Sequence, residues 1–382
     1  MKKYRLFALG AICSAAAIVA ACGGGDSDDD VAQPVDPVDP PVVIPADQPR
    51  EVRTTWFGIS NFHYQAGDFG FILDGEVVNS GRAPTPAAVT KVLGALSKKG
   101  SVDAFLVGHE HGDHALQIPE YAKQTGKPIY APRAVCEDVV AYGNPASQCT
   151  SLKGGETFEF SPYVTVRVVR WLHSLSCGVS GNGSAGVETF GFLITARTPE
   201  KVVSIYASDS GAGGQELFIP RVVNKGTASE ENYPSPFDNL MTAFKAAGIP
   251  NIDLWQGGPE SRVVNQARII VPAFGVKYFA PHHLGTRNTL VDGQSVGFSL
   301  EYGLHFPYLE SEVPLLTAYL KSVGTTAFNP DNYFDAWSLT ANGFTTVDNA
   351  EVKAVYGLPA TGPGPGKQGP NPRAGQLECA GD

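Results

Sequence analysis

One stretch constrains this chain more than any other. The run Asp103-Ala104-Phe105-Leu106-Val107, apolar after its first residue, is followed by Gly108 and then by His109, His111, Asp113 and His114. Apolar residues without alternation read as a strand buried on both faces, the pattern of a parallel sheet, and Gly108 breaks it. The polar cluster therefore falls just past the carboxyl end of a strand. Three of the chain's eight histidines stand here. An imidazole pair one residue apart, beside an adjacent Asp-His pair, cannot bury all its nitrogens in a core without partners. Converging on metal satisfies them. Three imidazoles and one carboxylate form a borderline-soft N/O set that suits zinc, with iron, manganese or cobalt also accommodated.

The spacing H-x-H-x-D-H after an apolar strand resembles the signature of the metallo-beta-lactamase superfamily, with further matches over residues 54–286 and into residues 329–340. The resemblance implies an α/β fold, a four-layer alpha-beta/beta-alpha sandwich, carrying two divalent ions: zinc, with manganese or iron as alternatives. His109, His111 and His173 would form the first position and Asp113, His114 and His283 the second, with Asp209 bridging them. Asp113 would also orient the hydroxide that such a pair, about 3.5 Å apart, generates near neutral pH. His283 is selected over His282 because Pro281-His282-His283-Leu284-Gly285-Thr286 resembles the family's closing P-x-H-x-G-T. His63 and His282 are left to stand behind the ligands or at the leaving group, and Asp74, Asp103 or backbone carbonyls can hold the free ring nitrogens.

Asp209 occupies the place where common zinc beta-lactamases carry Cys, which disfavours antibiotic hydrolysis. The Trp56-Phe57-Gly58 opening and the closing motif look most like the branch containing ascorbate-6-phosphate lactonase and N-acyl phosphatidylethanolamine phospholipase D. The expectation is a metal-dependent hydrolase of a small ester, lactone or phosphodiester. The alternative is a membrane-anchored metal-binding scaffold without hydrolytic activity. Seven candidate ligands count against it, since a structural site closes with four.

Residues 1–22 read as a bacterial lipoprotein signal. Lys2, Lys3 and Arg5 are basic, residues 6–20 are apolar, and Val19-Ala20-Ala21-Cys22 resembles a lipobox with Cys22 as the lipidation site. Gly23 follows it, not the Asp associated with inner-membrane retention. The expected location is the cell envelope, lipid-anchored at the outer membrane on its periplasmic face. Residues 23–50, rich in Gly, Asp, Pro and Val, form a disordered acidic spacer. Residues 51–360 are the hydrolase domain and 361–382 a Gly/Pro-rich tail.

A formal net charge of -10 argues against nucleic acid and for a small-molecule substrate. With Cys13 and Cys22 assigned to the signal, Cys136, Cys149, Cys177 and Cys379 allow three pairings. Cys136 with Cys149 is favoured because it closes a short, turn-rich loop; Cys177 and Cys379 either pair or stay free thiols.

The rest alternates strand and helix. Residues 56–62 and 69–75 read as a hairpin turning at Gly67-Asp68. A helix then starts at Thr85-Pro86 and ends at Gly100, with Thr85 as its cap. After the motif come a helix over 118–124 closed by Gly126, strands over 128–131, 163–171, 189–196 and 202–206, a helix from Ser235-Pro236 to Ala247, and a strand over 252–255. A helix over 260–270, a strand over 276–280, a helix over 309–321 and short strands beyond Gly343 complete the reading.

Overall fold

The computed structural model describes residues 45, 47–76, 83–173, 187–208, 214–223, 228, 230–257, 263–283, 289–291, 294–296 and 312–362. The readings made for residues 1–22 with Cys22, for most of the linker, for Cys177, Cys379 and Asp209, and for the tail beyond residue 362 lie outside them.

The chain opens with β1 (Val52–Trp56), β2 (Phe62–Ala66) and β3 (Phe69–Leu73), followed by α1 (Pro86–Leu96), β4 (Ala104–Leu106), α2 (Gly112–Ala115), α3 (Ile118–Thr125), β5 (Ile129–Ala131), α4 (Arg133–Ala141) and β6 (Cys149–Ser151). Then come β7 (Thr157–Glu159), β8 (Val164–Arg170), β9 (Phe190–Arg197), β10 (Val202–Ser208), a ribbon of β11 (Arg221–Val223) and β12 (Glu231–Tyr233), α5 (Pro236–Ala247), β13 (Leu254–Gly257), α6 (Val263–Phe274) and β14 (Tyr278–Pro281). A second ribbon of β15 (Thr289–Val291) and β16 (Gln294–Val296) precedes α7 (Glu312–Ser322), β17 (Thr326–Ala327), β18 (Ala336–Thr340), β19 (Gly343–Val347) and α8 (Ala350–Ala354).

Two large sheets result, ordered β19-β18-β1-β2-β3-β4-β5-β6 and β17-β14-β13-β10-β9-β8-β7. They repeat one plan. In each, an antiparallel trio (β1 to β3; β8 to β10) continues into strands that pair parallel (β4 to β6; β13, β14 and β17). Parallel neighbours need crossover connections, and helices supply them.

Alternation in the second sheet separates its two faces. Val164, Val166, Val168, Phe192, Ile194, Val203 and Ile205 join the first sheet's residues in one core. Val169, Leu193, Tyr206, Trp255 and Phe279 point the other way, under α5, α6 and α7. Contacts across the inter-sheet core include Phe71 with Phe160 and Tyr278 with Phe344. On the first sheet, α4 packs against β5, β6 and α3. Each fully buried Phe or Val contributes about 1.5–3 kcal/mol, so the two cores hold the sandwich. This is the expected four-layer α/β architecture.

Some elements differ from the sequence reading. Residues 56–62 are not one strand: β1 ends at Trp56, and the chain reverses through Gly58 at φ 117 and Ile59 at φ 48. Asn61 holds that turn, its side-chain amide donating to the Gly58 carbonyl at 2.6 Å and its own carbonyl accepting from the Phe57 amide at 3.0 Å. The hairpin at Gly67-Asp68 therefore joins β2 to β3. Helix α1 ends at Leu96, before Gly100, and the Thr85 hydroxyl donates to the Ala83 carbonyl rather than capping the helix. Gly126 closes α3 in the left-handed conformation, and Ser235 caps α5 by accepting from the Asp238 amide. Cys136, on α4, and Cys149, opening β6, are joined as a disulfide with Cα atoms 5.4 Å apart.

Candidate metal centre

Strand β4 lies between β3 and β5 and runs parallel to both. Where it leaves the sheet, the Gly108 amide donates to Asp74 Oδ1 at 3.0 Å, and the Gly108 carbonyl accepts from the amide of Phe190 in the other sheet at 2.9 Å. The motif thus starts at a point where the two sheets are stitched together. His109 follows, buried. His111 then stands immediately before the single turn of α2, which puts Asp113 and His114 on that turn. A turn this short makes little helical hydrogen bonding of its own. It is held from outside, the Gly75 amide donating to the His114 carbonyl.

Two more histidines come from the second sheet. His173 lies three residues past β8, where the Trp171 amide donates to the Thr189 carbonyl at 2.8 Å. His283 lies two residues past β14, with its amide donating to the Ile59 carbonyl at 3.0 Å and with φ at 63°. Two triads form: His109, His111 and His173, and Asp113, His114 and His283, each with its donor atoms within 4.8 Å of one another. In the first triad the ring centroids are 4.6–4.7 Å apart. His109 and His114, at 3.8 Å, link it to the second.

The electrostatics suit cation ligands. Burial, and after it the positive potential of His114, His173 and His111, holds the His109 ring well below its ordinary pKa. Burial and then His282, His114, His109 and His173 do the same to His283. Both rings are therefore neutral at physiological pH, with lone pairs to offer. Burial works to raise the pKa of Asp113, but His114, His109 and His111 outweigh it and the carboxyl lies below its usual value. Imidazoles and a carboxylate, converging in two groups of three, are a donor set that suits borderline divalent ions. His114 is oriented from behind: its Nδ1 lies 2.9 Å from Asp74 Oδ2 and 2.7 Å from Ser60 Oγ, and Ser60 also donates to Asp74.

Six of the seven residues expected at the centre are thus together; Asp209 lies outside the described residues, directly after Ser208 at the end of β10. His282 abuts His283 but belongs to neither triad. His63 does not reach the cluster. Its Nε2 lies 2.7 Å from the carbonyl of Ser101, ahead of β4, and Asp103 is likewise engaged there with Ser101 and Lys127. Both side chains are engaged around Ser101, ahead of the strand whose far end carries the motif, so neither takes the leaving-group or ring-holding place expected of it. Sequence reasoning missed Ser60, Ser208 and the Ile59 carbonyl. They reach the site from turns and strand ends with no spacing to mark them.

Residues 79–222 match the family described as the beta-lactamase superfamily domain. The matched segment carries the motif after β4, and over it the chain is similar to the metallo-beta-lactamase superfamily. A protein called UPF0173 metal-dependent hydrolase from Pyrobaculum calidifontis is 28% identical over 152 residues, 40% of this chain and 59% of that protein. Its namesake from Pyrobaculum islandicum is 26% identical over 160 residues, 42% and 62% respectively. The chain thus spans about six-tenths of the length of these curated relatives. Among solved structures, Igni18, described as a novel metallo hydrolase from Ignicoccus hospitalis, is 14% identical, with 76% of this chain and 98% of that chain covered at a TM-score of 0.46. The metallo-beta-lactamase fold protein YhfI from Bacillus subtilis is 16% identical, covering 76% and 99% at 0.45.

Proposed function

We propose that this chain is a metal-dependent hydrolase acting on a small ester, lactone or phosphodiester. The observation that carries the proposal is the pair of triads, each with its donor atoms inside 4.8 Å. His109, His111 and His173 would hold one divalent ion and Asp113, His114 and His283 a second, zinc with manganese or iron as alternatives, with Asp209 as a further ligand. When bound, the ions would supply Lewis acidity and a water acidic enough to act as nucleophile near neutral pH. The protein's part is orientation and access. Asp113, its carboxyl held below its usual pKa by its histidine neighbours, would serve as a ligand and orient the attacking water. Asp74 and Ser60 hold the His114 ring in place. His111 and Asp113 are half-exposed while His109, His114, His173 and His283 are buried, so substrate approaches from the side of α2. The net charge of -10 favours a small substrate over a polyanion.

Protein purified without chelator is expected to contain close to two divalent ions per chain by elemental analysis. A panel of bis-p-nitrophenyl phosphate, an acyl lactone, a thioester and a cephalosporin identifies the reaction. His109→Ala and Asp113→Ala are each expected to lower kcat/KM by more than about a hundredfold. Turnover that survives both substitutions would place the chemistry elsewhere, and preference for the cephalosporin would defeat the substrate ranking.

The proposal extends to location: lipidation at Cys22 holds the domain at the outer membrane, with residues 23–50 as spacer. Native protein should then fractionate with membranes and Cys22→Ser protein should not; soluble native protein overturns the anchor.

A further inference from the structure

The end of β14 presents two adjacent imidazoles, and the function proposed above uses one. In an extended strand, neighbouring side chains point to opposite faces. Here His283 adopts φ 63°, a left-handed conformation uncommon for a residue with a Cβ, and its ring centroid comes to 4.7 Å from that of His282. Both rings are buried.

Their hydrogen bonds have a fixed direction. His282 Nε2 meets the backbone carbonyl of Ser208, and a carbonyl only accepts, so Nε2 carries the proton. The neutral His282 ring is then bare at Nδ1. His283 Nδ1 lies 2.5 Å from that bare nitrogen, and the pair makes a hydrogen bond only if His283 Nδ1 holds the proton. His283 is thereby left with a lone pair on Nε2, 3.1 Å from His114 Nε2. On the opposite side, His114 Nδ1 lies against the Asp74 carboxylate, which also accepts from Ser60 and from the Gly108 amide, so the His114 ring turns its Nε2 toward His283. The two Nε2 atoms, 3.1 Å apart, thus converge on one point where a cation would lie against both.

We infer that His282 is a positioning residue: it relays the Ser208 carbonyl to His283 Nδ1, so that His283 is locked in the tautomer that offers Nε2 to a cation shared with His114. This replaces the leaving-group role expected of His282, since both its ring nitrogens are engaged within the protein. The relay runs from the end of β10, through the end of β14, to α2, and so couples two strands of the second sheet to the motif of the first. The inference rests on the ligand role proposed for His283, and the test separates the two.

The full-length chain is labelled with 15N-histidine and its ring nitrogens are read by long-range 1H–15N correlation, metal-free and with zinc. Zinc binding is followed by chelator competition with stoichiometry. In the wild type, His282 is expected protonated at Nε2 and His283 at Nδ1. In His282→Phe, His283 loses its single tautomer and the weaker of the two zinc ions binds about ten- to a hundredfold less tightly, the range seen when a group behind a metal ligand is removed. In His282→Gln, whose amide carries a donor and an acceptor on one carbon, much of both is restored. A wild-type His283 protonated at Nε2 overturns the inference. So does a Phe variant with unchanged tautomer and zinc affinity. If the tautomers are as expected but the wild type binds no second zinc, the ligand role falls while the relay stands. Should the Phe variant not fold, the wild-type spectrum and the Gln variant decide.

Discussion

Asp74 occupies a buried position at the end of β3 with φ at 59°, and its carboxylate draws together Ser60, the Gly108 amide and His114 Nδ1. One oxygen fixes the backbone where the motif begins, and the other fixes a ring within it. Asp74→Asn keeps the volume and, because Asn tolerates the left-handed region, keeps the backbone. It replaces a carboxylate that only accepts with an amide that also donates, so the His114 proton loses its anionic partner. The second divalent ion is expected to bind about ten- to a hundredfold more weakly, with the first little changed, measured by chelator competition. At this scale the sequence was informative where chemistry is concentrated. His109, His111, Asp113 and His114 sit within one loop, and their meeting requires only that the strand before them end. His63 and Asp103 misled because a residue's place along a strand, not its type, decides which end of the sheet it reaches. Ser60 and Ser208 were invisible for a related reason: an isolated hydroxyl or carbonyl matters only after two distant strand ends are brought together.

Among the elements, those with an explicit terminator were the legible ones. Ser235-Pro236 before α5 and Gly126 after α3 impose backbone states that few other arrangements satisfy. The aromatic run after Trp56 looked like a continuing strand because β-propensity records a liking for half-buried surfaces, and a buried turn offers the same environment. Gly58, at φ 117, and the Asn61 side chain mark the reversal there. Helix α4, which the sequence reading passed over, and strand β6 are tied covalently through Cys136 and Cys149, 13 residues apart. Closing a loop of roughly that size stabilises a fold by about 3 kcal/mol through the unfolded chain's lost entropy. The double substitution Cys136→Ser, Cys149→Ser is therefore expected to lower unfolding free energy by about that amount in urea titrations. Non-reducing peptide maps of the native protein should contain the joined peptides.

At the scale of the molecule, the two sheets repeat one plan, and the alternating strand–helix reading recovered it because crossovers leave apolar strands between amphipathic helices. The order of strands within each sheet was not legible, since no local pattern says which neighbour a buried strand selects. Global stability should carry an acid limb. Burial, aided by Arg53 and opposed by the Ser101 carbonyl and Asp103, lowers the His63 pKa from 6.5 to about 4. Above pH 6.5 the ring is neutral folded or unfolded. Between there and about pH 4 the unfolded chain takes up the proton first, so stability falls on acidification, by on the order of 3 kcal/mol across the window. Asp253, with its pKa lowered against burial by Lys201, Asn251 and Lys277, adds a loss of the same sign further down. Urea denaturation at pH 7.5 and 4.5 should show this slope in the wild type and a flatter one in His63→Gln. An equal slope in both would assign the acid limb to other groups.

Each triad takes two residues from the motif after β4 and its third from the far sheet, and His114 and His283 are 169 residues apart in the chain. On a ribosome adding about 5–20 residues per second, roughly ten to thirty seconds separate their synthesis. Throughout that interval a nascent chain already displays three imidazoles and a carboxylate with no way to finish the second group. A polypeptide that stops short of residue 283 has donors for at most one full triad, so metal content distinguishes a finished molecule from a truncated one.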